Sequence, residues 1–205
     1  MKKLVAVILS TLLFATCFSV SAKDEQATKI HPQKTLQASL VDSQGHEIKV
    51  TGYLLNEENF KATGSQSEQK VTYYYPLYVS KGSGSFTEEG SDGALAATAY
   101  LTIYYETQNT PTEYLLTKVS GSWVIHDSSV IYTGATLDYG CVGSFPQHSS
   151  EQRGSRSVGN PFSINTGFSK YTTEYGGVLG ANLYVNLQIG SSRKWTLHLQ
   201  NNLFP

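Results

Sequence analysis

The amino-acid sequence predicts an all-β protein, an antiparallel β-sandwich or distorted β-barrel of about ten strands in a single domain. Three observations carry that expectation. Apolar residues recur at every second position through most of the chain, the period of a strand with one buried face. Tyrosine (14 residues), threonine and valine are abundant beside 18 glycines, a composition suited to pleated strands joined by tight turns. No long segment repeats its apolar residues with the 3.6 period of a helix.

The amino terminus stands apart from this pattern. Met1–Ala22 carries Lys2 and Lys3, an apolar run from Leu4 to Phe18 and the ending Val20-Ser21-Ala22, the layout of a secretory signal peptide cleaved after Ala22. Ser10, Thr11 and Thr16 interrupt the run, which is short for a bilayer span and argues against an uncleaved anchor. Cleavage in front of Cys17, to leave a lipid-bearing cysteine, is a second alternative, but Thr16 is larger than the residue usually tolerated there. Nothing after Ala22 is apolar enough to cross a membrane, so the processed chain is expected outside the cell, secreted or held at its surface.

Processing removes 22 of the 205 residues and leaves 183. It takes Lys2 and Lys3 from the 15 basic residues, so 13 face 16 acidic ones and the net charge is −3. With no concentrated basic face, nucleic acid is not an expected partner. Cys141 becomes the one remaining cysteine, so no intramolecular disulfide can form. Stability must then come from burial, and a domain of this size hides about 70% of its unfolded surface.

Residues 23–34 are polar and aperiodic, contain Pro32, and read as a flexible leader; the β domain is expected over 35–205. Strands are predicted at Leu36–Leu40 and Glu47–Leu54, then at Val71–Val79 and around Leu101–Tyr105, where alternate residues are apolar. Tyr53–Phe60 and Ala94–Ala99 are also compatible with short helices. Tyr114–Lys118 and Trp123–Tyr132 read as a hairpin folded at Ser120-Gly121-Ser122. Further strands are expected at Leu137–Val142, Phe162–Asn165 and Lys170–Tyr175. The C-terminal pattern is the clearest: Ala181, Leu183, Val185, Leu187 and Ile189 alternate with polar residues, a turn follows at Gly190–Arg193, and Trp195, Leu197 and Leu199 return in phase. Three polar stretches, Asn56–Lys70, Ser80–Gly93 and Gly143–Pro161, read as long loops.

Chemical motifs are scarce. No Gly-x-Ser-x-Gly elbow occurs, the glycines of Lys81–Ser85 lack the end of a phosphate-binding loop, and the five histidines form no zinc pattern. The acidic loop Glu88–Gly93 has Ala99 where a calcium loop needs its bidentate glutamate. No metal or cofactor is therefore expected. Cys141 is the one candidate nucleophile, and a thiolate there needs a basic neighbour, for which His126 and Arg153 are the candidates, with His46 and Arg156 behind them.

Tyrosine is the unusual ingredient. Neighbours on a strand face opposite sides, so Tyr74 and Tyr78 share one face of their strand while Tyr73 and Tyr75 share the other. Tyr74 and Tyr78, with Tyr104 on the next cluster, form the candidate binding set, flat rings with hydroxyl handles suited to sugars or to a protein surface. Trp123 and Trp195 are in phase with apolar neighbours and belong in the core. The expected function is thus an exported, noncatalytic β domain that binds a cell-envelope glycan or an extracellular protein. Two alternatives stand beside it: an extracellular transpeptidase or hydrolase using Cys141, and a self-associating matrix or toxin-like protein. The oligomeric state is not encoded in any pattern of the chain.

Overall fold

The computed structural model describes residues 34–61, 67–80, 85–87, 89, 93–108, 113–143, 150–174, 177–191 and 193–204. The proposed signal peptide and nearly all of the leader lie outside these. Among the described residues there is no helix, and eleven strands form: β1 (Thr35–Asp42), β2 (Glu47–Lys61), β3 (Ser67–Ser80), β4 (Phe86–Thr87), β5 (Gly93–Gln108), β6 (Glu113–Ile125), β7 (Val130–Gly143), β8 (Ser150–Ser157), β9 (Phe162–Asn165), β10 (Val178–Ile189) and β11 (Arg193–Asn202).

All of them join one antiparallel sheet in the order β8-β7-β10-β11-β1-β2-β3-β5-β6-β9, with β4 added beside β3. β6 and β7 follow each other in sequence, yet they lie near opposite ends of this path. The connection His126–Ser129 reaches at most roughly 18 Å from Ile125 to Val130. The sheet therefore curls until its ends approach, and its inner face encloses a single core in which β10 and β11 pack against β3, β5 and β6.

Alternation decides which side chains enter that core. Leu183, Val185 and Leu187 of β10, Leu197 and Leu199 of β11, and Leu101 and Ile103 of β5 are almost wholly buried, each worth about 1.5–3 kcal/mol relative to exposure. Trp123 and Trp195 are buried as expected, Trp195 edge-on to Phe86 of β4 at 5.6 Å. Tyr75 lies flat over Gly52 of β2, where a Cβ would stand 2.1 Å from its ring, and its hydroxyl donates to the Gln200 carbonyl of β11. Asn201 interrupts the apolar phase of β11. It is 1% exposed, and its amide nitrogen donates to the carbonyls of Val71 (3.0 Å) and Leu101 (2.9 Å), tying β11 to β3 and β5 across the interior.

The connections around β9 close the seam left between the two ends of the sheet. Tyr132 donates to the Val158 carbonyl at 3.1 Å, and Asn160 bonds to the backbone of Trp123. At the far end Thr172 bridges to Tyr114, with both backbone bonds at 2.8 Å, and donates from Oγ1 to the Val142 carbonyl at 3.2 Å.

Several local expectations give way. Ser120-Gly121-Ser122 is no turn: β6 runs straight through it, because Gly121 makes room for the Phe162 ring of β9, which would lie 2.6 Å from a Cβ there. Neither Tyr53–Phe60 nor Ala94–Ala99 is helical; both are paired strand, the first in β2 and the second in β5. The stretch Asn56–Lys70 is largely strand too, since β2 extends to Lys61 and β3 begins at Ser67. Glu58 pairs with Lys70 at 3.5 Å, and Gln69 accepts from the hydroxyl of the buried Tyr105 at 2.5 Å.

Gly143–Pro161 contains β8, which has one partner, β7, and carries Gln152, Gly154 and Arg156 at the positions of inward phase. An edge strand that covers little core shows no apolar alternation. Of the strand expected at Lys170–Tyr175, residues 170–174 are described and contribute one bridge, at Thr172.

Candidate functional site

Tyr53 of β2, Tyr74 of β3 and Tyr100 of β5 are cross-strand partners in one row, with Tyr53 opposite Tyr74 and Tyr74 opposite Tyr100. All three point away from the core, because their neighbours Leu54, Tyr73, Tyr75, Ala99 and Leu101 take the inward phase. The Tyr53 and Tyr74 rings stack with centroids 5.4 Å apart and planes inclined at 29°. Tyr78 stands on the same face, four residues along β3, on the order of 13 Å from Tyr74. Its strand partner there is the exposed Leu95. Tyr104 lies about as far in the other direction, on β5.

Between the tyrosine row and Tyr104 the face is closed by Thr72 and Thr102, whose hydroxyls are 3.0 Å apart and almost buried. The Tyr104 ring is capped by the Lys118 ammonium, 3.8 Å from its centroid. Tyr104 therefore presents a cation above its ring, whereas the Tyr53–Tyr74 pair presents aromatic surface.

Glu89 completes the arrangement. Its carboxylate accepts from the Tyr53 hydroxyl at 2.5 Å and from the Tyr78 hydroxyl at 3.5 Å. The hydrogen bond to Glu89 is the main reason the Tyr53 phenol is pushed up to about 12, with loss of solvent and the negative charge adding to it. The Tyr78 phenol is raised too, chiefly by burial and then by Glu89. Both hydroxyls thus stay protonated through neutral and moderately alkaline pH, available as hydrogen-bond groups beside an acceptor.

Of this set, Tyr74, Tyr78 and Tyr104 were legible from strand phase. Tyr53 and Glu89 carried no signal of their own, because the register that brings β2 beside β3 and the approach of Glu89 to both hydroxyls are tertiary facts. The Tyr100 position could have been found from its spacing of four from Tyr104.

The thiol candidates are not gathered. Cys141 is 0% exposed on the inner face of β7, its sulfur 3.6 Å from the Tyr114 carbonyl and 3.4 Å from the Lys170 carbonyl. His126 sits in the connection before β7, eleven strand positions and more away, on the order of 35 Å along the chain. Its Nε2 lies 3.0 Å from Thr98 Oγ1. Arg153 is opposite Gly140 on β8, so it points to the outer face while Cys141 points inward. His46 bonds Asp42 at 2.9 Å in the β1–β2 turn, far from β8, and holds the Asp42 carboxyl below its usual range. Among the described residues no group of three His, Cys, Asp or Glu side chains converges on a common point.

Comparison with protein-family models, with curated proteins and with solved structures finds no match to this chain.

Proposed function

We propose that the protein is an exported, noncatalytic β domain that binds a glycan of the cell envelope on the outward tyrosine face of β2, β3 and β5. The observation that carries this reading is the three-strand row Tyr53–Tyr74–Tyr100 with the Glu89 carboxylate bonded to the rim hydroxyls of Tyr53 and Tyr78. A sugar ring has an apolar C–H face, which settles on aromatic surface, and a rim of hydroxyls, which pair with carboxylate and phenol groups. Rings stacked on a paired sheet lose little freedom on binding, so less of the interaction is spent on ordering them. A signal peptide places such a domain where envelope glycans are.

The nucleophile reading of Cys141 has less support, since a reactive thiol is partly exposed and electropositive in setting, whereas Cys141 is enclosed by carbonyl oxygens.

The test is co-sedimentation of the purified protein with insoluble cell-wall and polysaccharide preparations. Binding should fall at least tenfold in Tyr74→Ala and Tyr53→Ala at unchanged melting temperature, and less in Tyr78→Ala. A protein that stays in solution with every preparation, or binds equally after both changes, refutes the reading.

A further inference from the structure

The outer face of the other half of the sheet bears a groove of about 670 Å³. Its floor is Gly140 of β7 paired with Gly180 of β10. One wall is the pair Asp138–Asn182 and the other is Val142–Val178, the latter residue 51% exposed. Arg153 of β8 closes one end beside Gly140, and Asn202 of β11 closes the other beside Gly180. The trench therefore runs across four strands, perpendicular to them, over three interstrand spacings or roughly 14 Å.

The two floor glycines differ in what requires them. A Cβ on Gly180 would stand 2.3 Å from the Asn201 carbonyl and from Asn202 Oδ1, so packing enforces that glycine. A Cβ on Gly140 would meet nothing closer than 3.5 Å. Glycine inside a strand weakens it relative to a residue with a side chain, so the packing gives no reason for a bare Gly140. What its missing side chain does is leave the trench open.

We propose that this trench is a second binding site, for a short, uncharged, linear oligosaccharide. The floor strands are paired on both sides, so the floor offers an extended peptide no spare backbone donors or acceptors; the sheet edge lies beyond it, at β8. Recognition falls to side chains: the Asp138 carboxylate and the Asn182 amide nitrogen, whose partner Oδ1 lies 3.3 Å from His198 Nε2, suit neighbouring hydroxyls, and Val142 with Val178 suits a C–H face. One basic and one acidic side chain border the trench, Arg153 at its end and Asp138 in its wall, so it favours no net ligand charge. This site is independent of the tyrosine face.

The test is titration of isotope-labelled protein with chitotriose, cellotriose and maltotriose, followed by amide chemical shifts. At least one trisaccharide should give saturable shifts at Gly140, Gly180 and Asn182, undisturbed in Tyr74→Ala. Gly140→Leu should weaken binding at least tenfold while leaving the rest of the spectrum folded, and Asn182→Ala, which keeps the backbone, should weaken it too. No shifts with any of the three sugars, shifts confined to Tyr74 and Tyr100, or full binding by Asn182→Ala and by a folded Gly140→Leu overturns the proposal. Equal shifts with tetra-alanine overturn the saccharide class.

Discussion

Asn160 and Trp123 exchange two hydrogen bonds across the seam of the curled sheet: the Trp123 N–H donates to Asn160 Oδ1 at 3.0 Å, and Asn160 Nδ2 donates to the Trp123 carbonyl at 2.8 Å. A side-chain amide here does what a strand backbone does elsewhere in the sheet. The Trp123 ring packs on Tyr132 of β7 with centroids 4.6 Å apart, so the same residue is held on both sides of the corner where the chain passes from β6 to β7.

Asn160→Ala removes both bonds and leaves the Trp123 backbone groups without these partners. A net hydrogen bond contributes about 1 kcal/mol, so a loss of about 2 kcal/mol is expected. It should appear as a lower urea midpoint at unchanged slope. Asn160→Asp, which keeps the acceptor but sets a carboxylate oxygen against the Trp123 carbonyl, should lose at least as much as Asn160→Ala at neutral pH.

Gly52→Ala drives a methyl into the Tyr75 ring and should cost about 1–3 kcal/mol by overpacking. Gly140→Ala, with room for its methyl, should stay within about 0.5 kcal/mol of the parent. In the double variant Gly52→Ala with Tyr75→Leu the two losses should be less than additive, because removing the ring removes the clash. Equal effects of Gly52→Ala and Gly140→Ala would contradict the packing of Tyr75.

Burial raises the phenols of Tyr73 and Tyr114 to about 12, and those of Tyr75 and Tyr105 also lie well above the ordinary value of 10.0. A group whose folded pKa is raised holds its proton more tightly in the folded state. Its contribution is complete below pH 10 and is lost as pH rises toward 12. Denaturant midpoints should therefore be flat near pH 9 and fall steeply above pH 10. Glu89→Gln should lower the Tyr53 phenol, seen as earlier tyrosinate absorbance, with little change in stability.

A thiol reagent should label Cys141 of the native protein only as fast as the fold opens, and rapidly in denaturant. Cys141→Ala should reduce stability by about 1 kcal/mol and leave glycan co-sedimentation unchanged. Fast native labelling at neutral pH would restore the nucleophile reading.

The inside and outside of the core strands were legible in the chain because a pleat has period two. Ala181–Ile189 and Trp195–Leu199 form the hairpin that their alternation announces, and Tyr74 and Tyr78 share an outward face for the same reason. Where a strand covers little core, as Gln152–Arg156 of β8 does, alternation vanishes and the strand reads as loop. Where a glycine receives a ring from another strand, as Gly121 receives Phe162, the local residues look like a turn.

Local periodicity thus determined the fold class, most strands and the identity of the core. The order of the strands, the curl that buries Asn201 against Val71 and Leu101, the meeting of Tyr53 with Tyr74 and Glu89, and the glycine trench were decided by the tertiary structure alone. Period two says which way a side chain points, but which strand lies beside it depends on the free energy of closing the whole sheet around one core.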